Sequence, residues 1–279
     1  MNNSPNTCYQ IIAQKKHSVN RSRSDGIHSS HFRTKAAEGA QLRTMGIIGG
    51  VSWHSTAEYY KLINLRVSQC LGRSHSARLV ITSLNFAELL ALQREKNSAN
   101  LVNAFLVEGK KLKSAGCESF MIASHTLSWL GKIIEDEIGL KHMSIYDALV
   151  RKLRNINAQR IGLTGTLYTM KDEFYREHYH RAGFSIVTPN EPHLTRIATI
   201  VYKELVNGIF LEQSRNAFRE CFQDLIRQKV DAVVLGCTEI GMLIKERTWS
   251  DQFSPDKISI PLIDLIEAHV TECTEWMLQ

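Results

Sequence analysis

The chain has 279 residues, 43% hydrophobic and 22% charged, which is ordinary globular usage and excludes disordered, collagen-like and miniature disulfide-stapled scaffolds. At about one domain per ~150 residues, this length suits one large or two modest domains, each with its own core. The net charge of +6 is concentrated in residues 1–44, whose seven Lys or Arg face only Asp25 and Glu38, leaving 27 basic against 26 acidic groups over residues 45–279. So neutral a body lacks the basic footprint of a nucleic-acid binder.

No apolar run approaches the ~18 residues that would span a bilayer, and the N-terminus lacks the apolar stretch of a secretory signal. A cytoplasmic protein with no membrane partner is expected. The six cysteines (Cys8, Cys70, Cys117, Cys221, Cys237, Cys273) show neither C-x-x-C nor a zinc-like Cys/His spacing. They read as reduced thiols, most of them small core residues, and no metal is expected.

Residues 1–44 are rich in Ser, Asn, His and Arg and follow neither the helical nor the strand period, so they read as a flexible extension. The pattern changes at Met45, where the apolar run Met45–Gly50 reads as a strand entering a helix from Ser55 to about Cys70. A strand over Leu79–Leu84, helices over Phe86–Leu92 and Asn97–Ala115, a strand over Glu118–Ala123 and a helix over Leu127–Glu137 follow. A second series begins after Ser144: helix Tyr146–Ile156, strand Arg160–Thr164, helix Thr169–Ala182 and strand Phe184–Thr188. Helices near Leu194–Leu205 and Leu211–Gln228, strand Ala232–Leu235, a strand around Ile258–Pro261 and a helix from Ile263 to about Met277 complete it. Continuous apolar strands alternating with helices predict parallel sheets covered on both faces. Each series is too short for a wide sheet, so an α/β fold of two doubly wound lobes is expected.

Ligands of such sheets bind beyond the carboxyl ends of the strands. Four strand-to-helix turns qualify: Gly49–Thr56, Ala123–Thr126, Thr164–Thr166 and Gly236–Glu239. Each combines short polar side chains with the free N–H groups of a helix start, which suits a carboxylate or another small anion. Ser and Thr are also ordinary N-caps, and each turn taken alone reads as structure. Gly46-x-x-Gly49-Gly50 is not a dinucleotide fingerprint, and no P-loop lysine follows it.

Cys237 is the sharpest single residue. A helix N-terminus favours its thiolate, making it a candidate base or nucleophile, whereas a lone Cys after an apolar strand is as readily a packed core thiol. Gly236 permits close backbone approach, Thr238 can hydrogen-bond a ligand and Glu239 supplies a carboxylate, so the two readings stand level.

These blocks, Met45–Trp53 with Ser55-Thr56 and Tyr59-Tyr60, His75–Arg78, Phe86–Glu88, Leu163–Thr166, Phe174-Tyr175 and Gly236–Glu239, resemble the cofactor-independent aspartate/glutamate racemases, over nearly all of residues 45–279. The resemblance implies two pseudo-symmetric lobes, residues 45–142 plus 261–279 and residues 143–260, with the C-terminal helix returning to the first. It further implies an amino acid substrate held between the lobes, a homodimer, and no pyridoxal phosphate or metal. In such enzymes a cysteine at the strand end of each lobe faces one side of the substrate α-carbon; one thiolate removes the α-proton while the other thiol supplies another.

The first lobe departs from that pattern. Where the family has Cys-Asn-Thr-x-His, this chain has Ser124-His125-Thr126-Leu127-Ser128. Cys237 and Ser124 are therefore the expected catalytic pair, with Ser52, Trp53, His125, Thr126, Thr166, Thr238 and Glu239 around the substrate. A serine hydroxyl is a far weaker acid than a thiol, so an asymmetric racemase of aspartate or glutamate is expected; the resemblance implies that the second-lobe cysteine faces the L-isomer's α-hydrogen, and hence a preference for the L-isomer. A single-cysteine lyase or decarboxylase and an amino-acid-binding protein without turnover are the alternatives. Trp53 and His54 read either as lining the pocket mouth or as packing, Thr166 either as a carboxylate ligand or as an N-cap, and Arg78 as a structural or dimer-facing residue. Tyr59, Tyr60, Phe174 and Tyr175 fit core stripes better than a ligand cage.

Overall fold

Eight short strands form two parallel sheets of four, and helices cover their faces in the computed structural model, which describes residues 42–95, 98–245 and 260–279. The first series runs β1 (Met45–Gly49), α1 (Trp53–Leu71), β2 (Leu79–Ser83), α2 (Phe86–Arg94), α3 (Ser98–Ser114), β3 (Ser119–Ile122), α4 (Leu130–Ile138) and β4 (Lys141–His142). The second runs α5 (Ile145–Asn155), β5 (Arg160–Gly165), α6 (Leu167–Lys171), α7 (Glu173–Arg181), β6 (Ser185–Val187), α8 (His193–Lys203), α9 (Glu212–Arg227), β7 (Ala232–Gly236), α10 (Thr238–Lys245), β8 (Leu262–Asp264) and α11 (Leu265–Met277). The extension over residues 1–41 and most of the strand expected near Ile258 lie outside the described residues.

Both sheets have the same order, β2-β1-β3-β4 and β6-β5-β7-β8. This makes β1 equivalent to β5 and β3 to β7 under a pseudo-twofold relation. The central strands β1, β3 and β7 are buried along their whole length, which is why they read as unbroken apolar runs, while edge strand β2 alternates. In each parallel sheet the connections run to opposite sides of the two central strands, so the four polar turns meet at the switch point where ligands of such folds bind.

Several boundaries differ from expectation. β8 pairs with β7 through Val233↔Leu262 and Leu235↔Asp264, so residues 262–264 complete the second sheet rather than starting the return to the first lobe. The free edge of β7 takes the next extended segment, and only then does α11 cross over. Its Ile266, Val270, Cys273 and Met277 pack with Met45, Ile47 and Tyr59, whereas its Leu265 and Ala268 pack with Ile145 and Leu149 of the second lobe. The helix expected over Thr169–Ala182 is two, because Asp172 adopts extended backbone between them. β4 is two residues long, too short to show a period. Cys117, Cys221, Cys237 and Cys273 are free, buried thiols.

One polar contact secures the crossover helix. The ring of His269 on α11 bridges the Tyr59 hydroxyl on α1, 2.9 Å from Nδ1, and the carbonyl of Met143 between the lobes, 2.9 Å from Nε2. Burial pushes the His269 imidazole down to about 3, so the fold holds it neutral. The unfolded chain binds that proton from about pH 6.5 downward while the folded protein does not, so stability present above pH 6.5 is lost as pH falls toward 3. His269 contributes up to about 1.4 kcal/mol per pH unit in that window. Thermal unfolding from pH 7.5 to 4 should show Tm dropping below about pH 6.5, and a flat profile would contradict the assignment.

Candidate active site

A cavity of about 60 Å³ lies where the strand ends of the two lobes face each other. Its walls bring together Ser52, Ser124, His125 and Thr126 of the first lobe with Thr166, Cys237, Thr238 and Glu239 of the second. Ser124 follows β3 and Cys237 follows β7, so the two occupy equivalent positions in equivalent sheets. Gly236 is required before the thiol because a Cβ there would stand 2.0 Å from the Thr164 carbonyl oxygen.

Trp53 is not among these walls. It is 65% exposed and stacks on His54 with ring centroids 3.7 Å apart. The buried stripe of α1 runs through Ser55, Thr56, Tyr59, Ile63 and Val67, and Trp53 lies off that stripe. Of its two expected roles the structure gives it neither the pocket nor the core.

Cys237 is buried, and its Sγ donates to Glu239 Oε2 at 3.0 Å. Burial raises the thiol well above its ordinary value; the Glu239 charge and hydrogen bond add to this, and the backbone N–H groups of Glu239 and Ile240 oppose it. The readily formed thiolate anticipated from the helix N-terminus is thereby corrected. Desolvation and a neighbouring carboxylate outweigh the helix, and the resting residue is a neutral thiol. The same carboxylate accepts from Thr238 Oγ1 at 2.7 Å and, through its other oxygen, from Ser55 Oγ at 2.7 Å. Ser55 also lies 2.6 Å from Thr238 Oγ1. Ser55 belongs to the first lobe, so this buried cluster spans the interface.

The first-lobe wall is built differently. Ser124 Oγ accepts from the Leu127 amide at a long 3.4 Å within the turn that precedes α4, whose N-cap is Trp129, so Ser124 is not a helix N-cap, and it lines the cavity. His125 Nε2 lies 3.2 Å from the Tyr179 hydroxyl, and its carbonyl accepts from Tyr146 at 2.9 Å. Burial, aided by His178, lowers the His125 imidazole to about 3, so it meets a ligand as a neutral ring. Its Nδ1 has no hydrogen-bond partner among the described residues, and neither do the buried hydroxyls of Ser52 and Ser128. Thr126 gives its carbonyl to Tyr175. Thr166 caps α6 by accepting from the Thr169 amide at 3.1 Å, so its N-cap reading holds while it also lines the cavity.

In the sequence Ser55 stands only within a longer motif, and its position three residues after Ser52 at a helix start is the signal for a role. Phe86, Leu90, Gln93, Tyr168 and Tyr202 also line the cavity. Phe86 opens α2 just beyond β2 and was reachable from the strand-end rule, whereas Gln93 and Tyr202 sit within helices and carry no local mark. Among the described residues, no Arg or Lys lines the cavity, and no group of three or more His, Cys, Asp or Glu could hold a metal.

Two parallel α/β lobes closing on a thiol and a hydroxyl from equivalent strand ends define a class of two-lobed proteins. Residues 48–273 match the model of the Asp/Glu/Hydantoin racemase family, and the chain belongs to that family. A candidate Asp/Glu racemase from Yersinia pestis is 32% identical, with 85% of this chain and 100% of that one covered at a TM-score of 0.76. An aspartate racemase homologue from Pyrococcus horikoshii OT3 is 24% identical over 85% of this chain and 100% of that one at 0.71. The aspartate racemase of Picrophilus torridus is 20% identical over 84% and 94% at 0.62. The latter two show the common fold.

Replacing Ser55 with Ala removes a donor from the buried Glu239 carboxylate. Such a loss costs about 1–3 kcal/mol. Urea denaturation should show this as a lower midpoint at unchanged slope, and an unaltered midpoint would remove Ser55 from the interface cluster.

Proposed function

We propose that the protein is a pyridoxal-independent amino acid racemase with one thiol, in which Cys237 exchanges the α-proton on one face and Ser124 is a weaker partner on the other. The observation that carries the reading is the pairing of Cys237 Sγ with Glu239 Oε2 in a cavity that Ser124 also lines. In this mechanism the thiol proton leaves through the Glu239 carboxylate to solvent, and the thiolate that remains is supported by the amides of Glu239 and Ile240. The thiolate then takes the α-proton, forming an S–H bond while the C–H electron pair moves into the carboxylate-stabilised carbanion. The Ser52 hydroxyl and the first amides of α1 hold that growing negative charge. Reprotonation by the Ser124 hydroxyl inverts the centre, after which the Ser124 oxygen takes a proton from solvent and Cys237 again gives its proton up; return of the same proton from Cys237 instead restores the original centre. Among the described residues, no lysine lines the cavity to form a Schiff base, which favours chemistry on the free amino acid.

The family resemblance carries aspartate and glutamate as the first substrates to assay, a homodimer as the assembly, and the L-isomer's α-hydrogen as the one facing Cys237. Deuterium incorporation from D2O into L- and D-amino acids, followed by mass spectrometry, tests the reading. Exchange should be faster from L than from D. Cys237→Ser should lower it by about 10²-fold or more, and Ser124→Cys should raise the D-isomer rate. Equal exchange from both enantiomers, or exchange untouched in Cys237→Ser, overturns the reading.

The pH dependence has a definite sign. A base whose protonated form is favoured by burial and by a neighbouring carboxylate is recruited only as pH rises, so L-isomer exchange should climb from pH 7 to 9. A rate that falls across this interval would show that Cys237 does not act as the base.

A further inference from the structure

Three tyrosines of the second lobe reach across to two consecutive residues of the first. The Tyr146 hydroxyl on α5 donates to the His125 carbonyl at 2.9 Å, and the Tyr175 hydroxyl on α7 donates to the Thr126 carbonyl. The Tyr179 hydroxyl, one turn further along α7, lies 3.2 Å from His125 Nε2. All three side chains are buried in one core cluster of the second lobe, together with Ala232 and Val234 of β7. β7 ends at Gly236, directly before Cys237. The tyrosines and the thiol therefore belong to one packed body, and that body grips the turn that carries Ser124.

Within its own lobe the turn is held more loosely. The Ala123 amide donates to the Ile48 carbonyl at 2.9 Å, which fixes the end of β3. Past that point the Ser128 amide reaches the His125 carbonyl at 3.2 Å and the Leu127 amide reaches Ser124 Oγ at 3.4 Å, both longer than the Tyr146 bond. Hydrogen bonds weaken as they lengthen. A phenol ring already ordered by core packing, by contrast, holds its hydroxyl in place with little further loss of freedom. Resting on the α-proton transfer proposed above, we infer that Tyr146, Tyr175 and Tyr179 are positioning residues, which set the Ser124 hydroxyl against the Cys237 sulfur across the cavity that both line. Cys237 itself does not depend on these bonds, because Glu239 of its own lobe holds its sulfur at 3.0 Å. Displacing a catalytic group by ~1 Å can cost about 10²-fold in rate, so loosening the turn strikes the step that Ser124 performs and largely spares the other face.

Incubating L-aspartate or L-glutamate in D2O with the full chain gives two products from one carbanion: L-isomer carrying α-deuterium, completed by Cys237, and D-isomer, completed by Ser124. Their ratio, read by chiral chromatography with mass spectrometry, is the measurement. Tyr146→Phe and Tyr175→Phe keep the buried ring and remove only the hydroxyl. Each should lower the D-isomer formed per α-deuterium in L by at least about tenfold, while L-isomer exchange falls by no more than about threefold. Tyr59→Phe removes a hydroxyl that is equally buried but bonds His269 rather than the turn, and it should keep the wild-type ratio. Adding Tyr175→Phe to Ser124→Ala should lower the ratio no further, as expected of a residue that acts through Ser124. A parallel fall of both products, or an unchanged ratio, in the two phenylalanine variants overturns the inference and leaves the α-proton chemistry standing. Wild-type exchange without any D-isomer does the same. If one variant does not fold the other decides, and if neither folds the hydroxyls serve the fold itself and the positioning role is overturned. Absence of exchange in the wild-type protein sinks the catalytic reading and the inference with it.

Discussion

The buried carboxylate of Glu239 joins the lobes and adds to the burial that keeps the thiol between them protonated. A carboxylate removed from water is tolerated only where donors replace its hydration, and here the donors are Cys237, Thr238 and Ser55. Two come from its own lobe, but Ser55 arrives on α1 of the other. The carboxylate is thus fully satisfied only when the lobes are docked, which ties assembly of the cavity to closure of the interface. The same charge raises the neighbouring thiol, so the interaction that completes the site also keeps its sulfur protonated at rest.

The two halves share a sheet order and differ in what they place at equivalent strand ends. After β7 stands a thiol beside a carboxylate; after β3 stands a hydroxyl beside a neutral imidazole set among Tyr146, Tyr175 and Tyr179. A carboxylate can receive a proton from its neighbour, whereas an imidazole forced neutral by burial is a poor base. The asymmetry therefore extends beyond a single Ser-for-Cys exchange, since the groups that support each side differ as well.

Much of this was legible in the sequence. Buried parallel strands announce themselves as apolar runs, and strand-end turns bearing Ser, Thr and Cys marked the cavity walls. What escaped depended on tertiary context. Trp53 begins a helix whose register turns it outward, a fact that the motif alone does not carry. The Cys237 thiol looked activated because a helix start is visible in sequence, while the burial that overrides it is not. Gln93 and Tyr168 reach the cavity from surface helices that no local pattern distinguishes, and residues 262–264, within the stretch expected in the first lobe, pair with β7 because strand pairing is a long-range choice.

Ser52 shows how the fold pays for a binding group. Its φ of 46° lies in the left-handed region, unusual for a residue other than glycine, and its hydroxyl is buried without a partner. Neither feature is needed to start α1, because Thr56 does that work: its hydroxyl accepts from the Gly50 amide at 2.9 Å and donates to the Ser52 carbonyl. Gly50 must be glycine, since a Cβ there would meet the Leu84 carbonyl oxygen at 2.0 Å. With the turn held from both sides, the Ser52 side chain is released from capping and faces the cavity. A strained backbone and an unsatisfied donor at one buried residue are jointly destabilising, and a carboxylate accepting from that hydroxyl would offset part of the cost. Within the proposed function, this is the place for the substrate α-carboxylate, where negative charge gathers as the α-proton leaves.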